Sequence, residues 1–149
     1  VRAPANVLVI DAAILVSAVI GRSSAAIMET TIHATLVTTD RATEEARRRV
    51  ALGMKRPDLL EVLDGLNTQI TIVSLECLGP LLGAAAFALK HAAGSANGSV
   101  RDAHVLALAW EIDADIWTTD RDFAGTGVAT WSTPNLMRAL AARRAGIGS

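Results

Sequence analysis

The chain has 149 residues, 51% hydrophobic and 19% charged, with 14 Lys plus Arg against 15 Asp plus Glu and a formal net charge of -1. That is enough apolar sequence for one globular domain over residues 1–149, with only 145–149 expected to fray, and it excludes a disordered tail. The single cysteine, Cys77, excludes a disulfide scaffold and a four-ligand zinc module and points to a reducing cytoplasm.

The apolar stretch from Ala12 to Ile20 is too short to span a bilayer and has no basic segment before it, so no membrane is expected. Near-balanced charge argues against a basic nucleic-acid coat. Any nucleic-acid contact must come from a local patch or from metal ions.

Val7 to Ile10 is a continuous apolar run of the kind found in strands buried on both faces, and Ala12 to Ile20 then reads as a helix. Ser23 and Ser24 can cap a second helix running to about His33. Leu36 to Thr38 is strand two, Asp40 starts an Arg-rich helix to about Met54, and Pro57 opens another that ends near Asn67. Ile70 to Val73 is strand three.

Ser74 is the N-cap expected for a long helix from Leu75 to about His91, distorted near Gly79 and Pro80. A loop, Gly94 to Ser99, precedes a helix from Arg101 to Ile112. Strands follow at Ile116 to Thr118 and Val128 to Trp131, and Thr133-Pro134 opens a last helix. Strands separated by helical connections of a dozen or more residues pair in parallel, giving an α/β domain with helices on both faces of the sheet.

The acids are placed unevenly over these elements. Asp11 follows directly on strand one and Asp120 lies just beyond strand four, so both fall on the carboxyl edge where open α/β sheets bind ligands. Read blandly, Asp11 caps the next helix and Asp120 shapes a turn. Asp102 shares a helical row with Val105, Leu106, Ala109 and Trp110, which turns a carboxylate toward the core side. Glu45 shares a face with Ala42, Ala46 and Val50, whereas Glu44 lies with Arg47 and Arg48 on a solvated face. The bland reading of Glu45 is an i, i+4 pair with Arg49, worth a few tenths of a kcal/mol.

If Asp11, Glu45, Asp102 and Asp120 converge, each like-charge pair at about 4 Å costs roughly 4 kcal/mol at an effective dielectric near 20. Such a nest must hold protons or bind a cation. Oxygen-only ligands select a hard ion, Mg²⁺ or Mn²⁺, of the kind that activates water against a phosphodiester.

At these residues the chain resembles the PIN-domain nucleases, and in particular the toxin component of VapBC toxin-antitoxin pairs. The resemblance runs from Val7 to about Trp131. It is carried by Val7 to Asp11, by Thr39 to Glu45, by Arg101-Asp102-Ala103-His104 through Ala109, and by Ile116-Trp117-Thr118-Thr119-Asp120-Arg121-Asp122-Phe123.

The resemblance implies a sheet in the order 3-2-1-4-5 and metal-dependent cleavage of single-stranded RNA by the quartet Asp11, Glu45, Asp102 and Asp120. It makes Asp122 an auxiliary acid and gives the Thr118 hydroxyl to the site. It also implies a cognate antitoxin and a homodimer. One departure is Ala13, where the family usually carries Ser, Thr or Asn, so that a polar group is missing from the edge of the site. Ala13 is the best support for the alternative, a noncatalytic PIN-like module that binds RNA or protein; retention of all four acids argues against it.

Other activities fit less well. No Gly-rich phosphate loop follows strand one, and Gly125-Thr126-Gly127 is too short a match to count. A receiver-type domain lacks its second Asp beside Asp11 and a Lys after Lys90, and no Gly-x-Ser-x-Gly elbow supports a serine hydrolase.

From Arg41 to Arg56 six basic residues stand against Glu44 and Glu45, a run that can track RNA, form a solvated paired face, or meet an acidic antitoxin. The five aromatics, Phe87, Trp110, Trp117, Phe123 and Trp131, read as core rather than as a stacking row. Cys77 reads as a small buried hydrophobe, and Glu76 as a helix-start acid. His33, His91 and His104 lack metal-ligand spacing, although His104 lies close enough to Asp102 to approach RNA.

Overall fold

The computed structural model describes residues 3–91, 102–119, 123 and 125–146. In chain order the elements are β1 (Val7–Ile10), α1 (Ala12–Val19), α2 (Ser24–His33), β2 (Thr35–Thr39), α3 (Asp40–Arg48), α4 (Leu60–Asn67), β3 (Thr71–Val73), α5 (Leu81–His91), α6 (Ala103–Ile112), β4 (Asp115–Trp117), β5 (Thr130–Trp131) and α7 (Thr133–Arg144). The five strands form one sheet in the order β3-β2-β1-β4-β5, and every pair is parallel. Both the fold class and the strand order expected from the sequence are realised.

Period-2 alternation sends the two faces of each strand to different cores. Leu8, Ile10, Leu36 and Trp117 point to a cluster roofed by α1, α2, α3, α4 and α7, while Val9, Val37 and Ile116 point to one roofed by α5 and α6. Because β1 sits between β2 and β4, the chain leaves it in one direction along the sheet and returns on the other side. That arrangement is a topological switch point. It puts the residues after β1, β2 and β4 side by side at the carboxyl edge.

Several expected elements are shorter or differently wound. The helix begun at Asp40 stays α-helical only to Arg48 and continues as a π-turn from Arg49 to Gly53. Pro57 opens a 3₁₀ turn, Pro57–Leu59, before α4. The helix expected from Leu75 is two pieces: Ser74 caps a 3₁₀ turn over Leu75–Leu78, and Gly79, at φ 29°, reverses the chain before α5 starts. A side chain is strained at that φ, so the break is local backbone chemistry and not a packing accident.

Two burial expectations are corrected. Phe87 is 68% exposed on α5, its ring 4.4 Å from that of His91, so it is not a core residue. Cys77 is exposed rather than buried, because it stands on the 3₁₀ turn and not on the inner face of a long helix. Trp117 and Phe123 are fully buried, and Trp131 is nearly so, as expected.

Among the described residues no single helix is long and apolar enough to cross a membrane. The 94–99 loop, Arg101 and residues 147–149 lie outside the described residues, whereas Ala145 closes α7 with its N–H on Ala141 O.

Candidate active site at the carboxyl edge of the sheet

Asp11 leaves β1 with φ -97° and ψ 177° and becomes the N-cap of α1, its Oδ1 accepting from the Ile14 N–H at 3.0 Å. Its other oxygen, Oδ2, accepts a short hydrogen bond from Thr118 Oγ1, at the end of the neighbouring strand β4 and 107 residues away. The residue is only 8% exposed. Burying a carboxylate is costly unless its oxygens are bonded, and here the helix N-terminus and a hydroxyl supply the bonds. The capping role and a site role for Asp11 therefore coexist. One oxygen serves the helix and the other faces the strand end.

Thr39 closes β2 in the same way, accepting from the Ala42 N–H at 3.0 Å to cap α3. One turn further on, Ala42, Ala46 and Val50 are fully buried and hold α3 against the core, and Glu45 flanks that stripe at the rim. Its side chain is 32% exposed and pairs with Arg49 at 2.9 Å, whereas Glu44 is 72% exposed and pairs with Arg48. Periodicity thus separated the two acids as expected. The Glu45–Arg49 pair that offered the bland explanation is also present.

Asp102 occupies the N-cap position of α6, with φ -94°, ψ 0° and no side-chain bond to the helix N-terminus. This corrects its sequence placement. All of Ala103 to Ala109 is buried, because α6 lies between the sheet and α5, so the row containing Asp102 is not a distinctive inward face. What directs Asp102 to the site is the start of α6 at the sheet edge.

These residues border one cleft of about 350 Å³, lined by Asp11, Ala13, Glu45, Arg49, Asp102 and His104 among others. Asp11, Glu45 and Asp102, from three different elements, are therefore brought to one space. Among the described residues no three His, Cys, Asp or Glu side chains close into a ligand cage. Asp120 and Asp122 lie outside the described residues. A donor set of carboxylate oxygens around an open space suits a hard cation that keeps waters and takes few protein ligands.

Three more residues stand at or beside the cleft: Thr39, which the sequence reading did not single out, and His104 and Arg49, which it named without placing them in the site. His104, 2% exposed, lines the cleft and joins Thr39 side chain to side chain at 2.6 Å. Arg49 brings a guanidinium to the acids from the π-turn that follows α3. For Thr39 the available signal was its position, a hydroxyl residue ending a strand at the carboxyl edge. For Arg49 it was the i+4 spacing from Glu45.

A family model described as PIN domain matches residues 9–141. The chain belongs to the PIN-domain family. Among curated protein sequences none matches this PIN domain. Two similar solved structures are VapBC2 from Rickettsia felis bound to a DNA fragment from their promoter, and FitAcB from Neisseria gonorrhoeae. The first is 14% identical with a TM-score of 0.63, covering 85% of this chain and 98% of that one. The second is 17% identical with a TM-score of 0.60, covering 87% and 99%. At such identities the likeness is one of fold, and it extends over almost the whole PIN domain.

Proposed function

We propose that this PIN domain is a Mg²⁺- or Mn²⁺-dependent endoribonuclease that hydrolyses phosphodiester bonds of single-stranded RNA and acts as a toxin neutralised by a cognate protein antitoxin in the cytoplasm. The observation that carries the nuclease reading is the meeting of Asp11, Glu45 and Asp102 at one open cleft on the carboxyl edge. The toxin reading is supported by the sequence resemblance to VapBC toxins and by the fold shared with VapBC2.

Asp11, Asp102 and Asp120 would hold the cation, and Glu45 would hold it or orient the attacking water. The ion, when bound, supplies positive charge that polarises water and offsets charge on the phosphate oxygens. In the hydrolysis, water oxygen bonds to phosphorus in line with the departing sugar oxygen, which leaves carrying a proton.

The chain's own contribution is positioning. The Ile14 N–H and the Thr118 hydroxyl fix the Asp11 carboxylate before substrate arrives, so its orientation is already set. The Thr39–His104 contact ties the start of α3, which carries Glu45, to the start of α6 and Asp102. Arg49 lowers the repulsion among the acids while leaving the cleft open.

The test is incubation of purified protein with structured and unstructured RNAs in Mg²⁺, Mn²⁺ or EDTA, with Asp11→Asn prepared in parallel. Metal-dependent cutting of the unstructured RNA that disappears in the variant supports the assignment. Equal cutting by both proteins traces the activity to a contaminant and overturns it. Ala13 borders the cleft and has no polar side-chain atom to offer it, which favours the noncatalytic module as second reading; tight RNA binding without turnover in any metal would establish that one.

A further inference from the structure

The acid cleft has a larger neighbour. A groove of about 530 Å³ runs beside it, lined by Asp40, Arg41, Glu44, Glu45, Arg48 and Leu75. Glu45 lines both spaces. On α3 the positions 41, 45 and 48 recur at i, i+4 and i+7, so one helix face carries a cation, the shared acid and a second cation in sequence.

The structure also sorts the five arginines of the basic run by what each one does. Arg47 is bonded to Asp64 of α4, outside the groove. Arg56 is gripped by Asp58 at 2.9 and 3.0 Å, an attachment that holds the Asp58 carboxyl below the usual carboxylate range. Arg49 is paired with Glu45 in the acid cleft.

The groove cations are the less committed ones. Arg41 makes no ion pair among the described residues, and Arg48 meets Glu44 at 3.3 Å with both side chains at least two-thirds exposed. Exposed pairs of that kind contribute little, so exchange of Glu44 for a phosphate costs little. The far wall is fixed, since the Asp40 carboxylate accepts from the Arg41 N–H at 2.9 Å and the Leu75 N–H at 3.1 Å.

We infer that this groove binds the phosphodiester backbone of single-stranded RNA flanking the acid cleft, with Arg41 and Arg48 as its phosphate ligands. The inference rests on the nuclease reading for what happens in the cleft, but the binding it describes is measured separately. A strand cut at the acids must carry its neighbouring nucleotides away over the surface, and the groove meets the cleft at Glu45. Guanidinium groups suit phosphate oxygens in charge-assisted pairs, and among the described residues that line the groove there is no aromatic ring on which a base could stack. Recognition here is therefore of backbone and not of base. Asp40, Glu44 and Glu45 oppose any anion alike; an acidic peptide fits less well because, unlike a strand cut at the acids, it has no reason to continue into the cleft.

The test is fluorescence anisotropy with a labelled unstructured RNA, made in the Asp11→Asn background and titrated between about 50 and 200 mM salt. Arg41→Gln and Arg48→Gln should each weaken binding by about three- to tenfold and each lower the salt-dependence slope by about 0.7. Arg47→Gln, which removes an equal charge on the other side of α3, should stay within about twofold of its parent. If Arg41→Gln and Arg48→Gln behave like Arg47→Gln, the inference is wrong. It is equally wrong if the two variants keep RNA binding and lose binding to a poly-glutamate peptide, which would make the groove a protein-docking surface. RNA binding that depends on both arginines in a protein that never cuts would remove the nuclease reading and leave the groove standing; cutting with unaltered binding in the variants would do the reverse.

Discussion

Thr39 Oγ1 lies 2.6 Å from His104 Nδ1, joining the end of β2 to the first turn of α6 across 65 residues of sequence. Both side chains are buried, and Thr39 also caps α3 through the Ala42 N–H. Thr39→Val loses the cap and leaves a buried imidazole nitrogen without this partner, so it should cost about 2–3 kcal/mol in urea unfolding. Thr39→Ser keeps the hydroxyl and should cost less than about 1 kcal/mol. Because the bond also ties together the elements carrying Glu45 and Asp102, Mn²⁺ affinity measured by titration calorimetry should fall about tenfold in the Val variant and recover in the Ser variant. Equal Mn²⁺ affinity in all three folded proteins would reduce the contact to a purely structural one.

The dual use of Asp11 allows its charge to be separated from its capping. Asn is as good an N-cap as Asp, and its side-chain oxygen can still accept from the Ile14 N–H, so Asp11→Asn should unfold within about 1 kcal/mol of wild type. Asp11→Ala removes the acceptor as well and should cost about 1–2 kcal/mol. Both should reduce RNA cleavage by at least about a hundredfold, as expected when a metal-holding carboxylate is lost. A cleavage rate that followed stability, near normal in Asn and low in Ala, would make Asp11 only a cap.

Asp115 is the structural counterpart. It stands at the opposite end of β4, buried, with Oδ2 accepting from the Ala5 N–H at 3.0 Å and from Trp131 Nε1 at 2.9 Å. Replacing it with Leu strands two donors, and hydrogen bonds to a charged acceptor contribute about 1.5–3 kcal/mol each, so we expect a loss of about 2–4 kcal/mol in denaturant unfolding. RNA cleavage per folded molecule should not change. A loss under about 1 kcal/mol would mean that the other groups around Asp115 carry its share.

The contrast between Asp11 and Asp115 shows what the sequence could convey. Asp11 was legible because an unbroken apolar run fixes where β1 ends, and an acid at that point in a parallel sheet has few places to go. Asp115 carries no such signal, because its partners, Ala5 and Trp131, come from opposite ends of the chain. Glu45 was legible because Ala42, Ala46 and Val50 define the buried stripe of α3 without ambiguity. Asp102 was singled out by a row that carries no information in a helix buried on all sides, and it is the N-cap position that brings it to the cleft. Phe87 and Cys77 were misplaced by one cause, the break of the expected long helix at Gly79 into a 3₁₀ turn that holds Cys77 and a separate α5 that holds Phe87. The Thr39–His104 contact depends on the tertiary approach of β2 and α6, and no local pattern encodes it.

Arg49 yields a prediction in which two affinities move in opposite directions. Its guanidinium is 2.9 Å from Glu45 Oε1 and lines the same cleft as Asp11 and Asp102. On the proposed function a cation there competes with the divalent ion for the acids, and at half exposure the competition is worth about 1 kcal/mol after screening. Arg49→Gln should therefore bind Mn²⁺ about fivefold more tightly at low salt, with the gain shrinking as ionic strength rises. The same substitution removes a positive charge from the cleft that, on the proposed function, an RNA phosphate approaches, so binding of unstructured RNA in the Asp11→Asn background should weaken by about three- to tenfold. Calorimetry with Mn²⁺ and anisotropy with RNA read the two effects independently. If both affinities fall together, Arg49 is organising the acids and not competing for them, and Glu45 would have to depend on the guanidinium for its position.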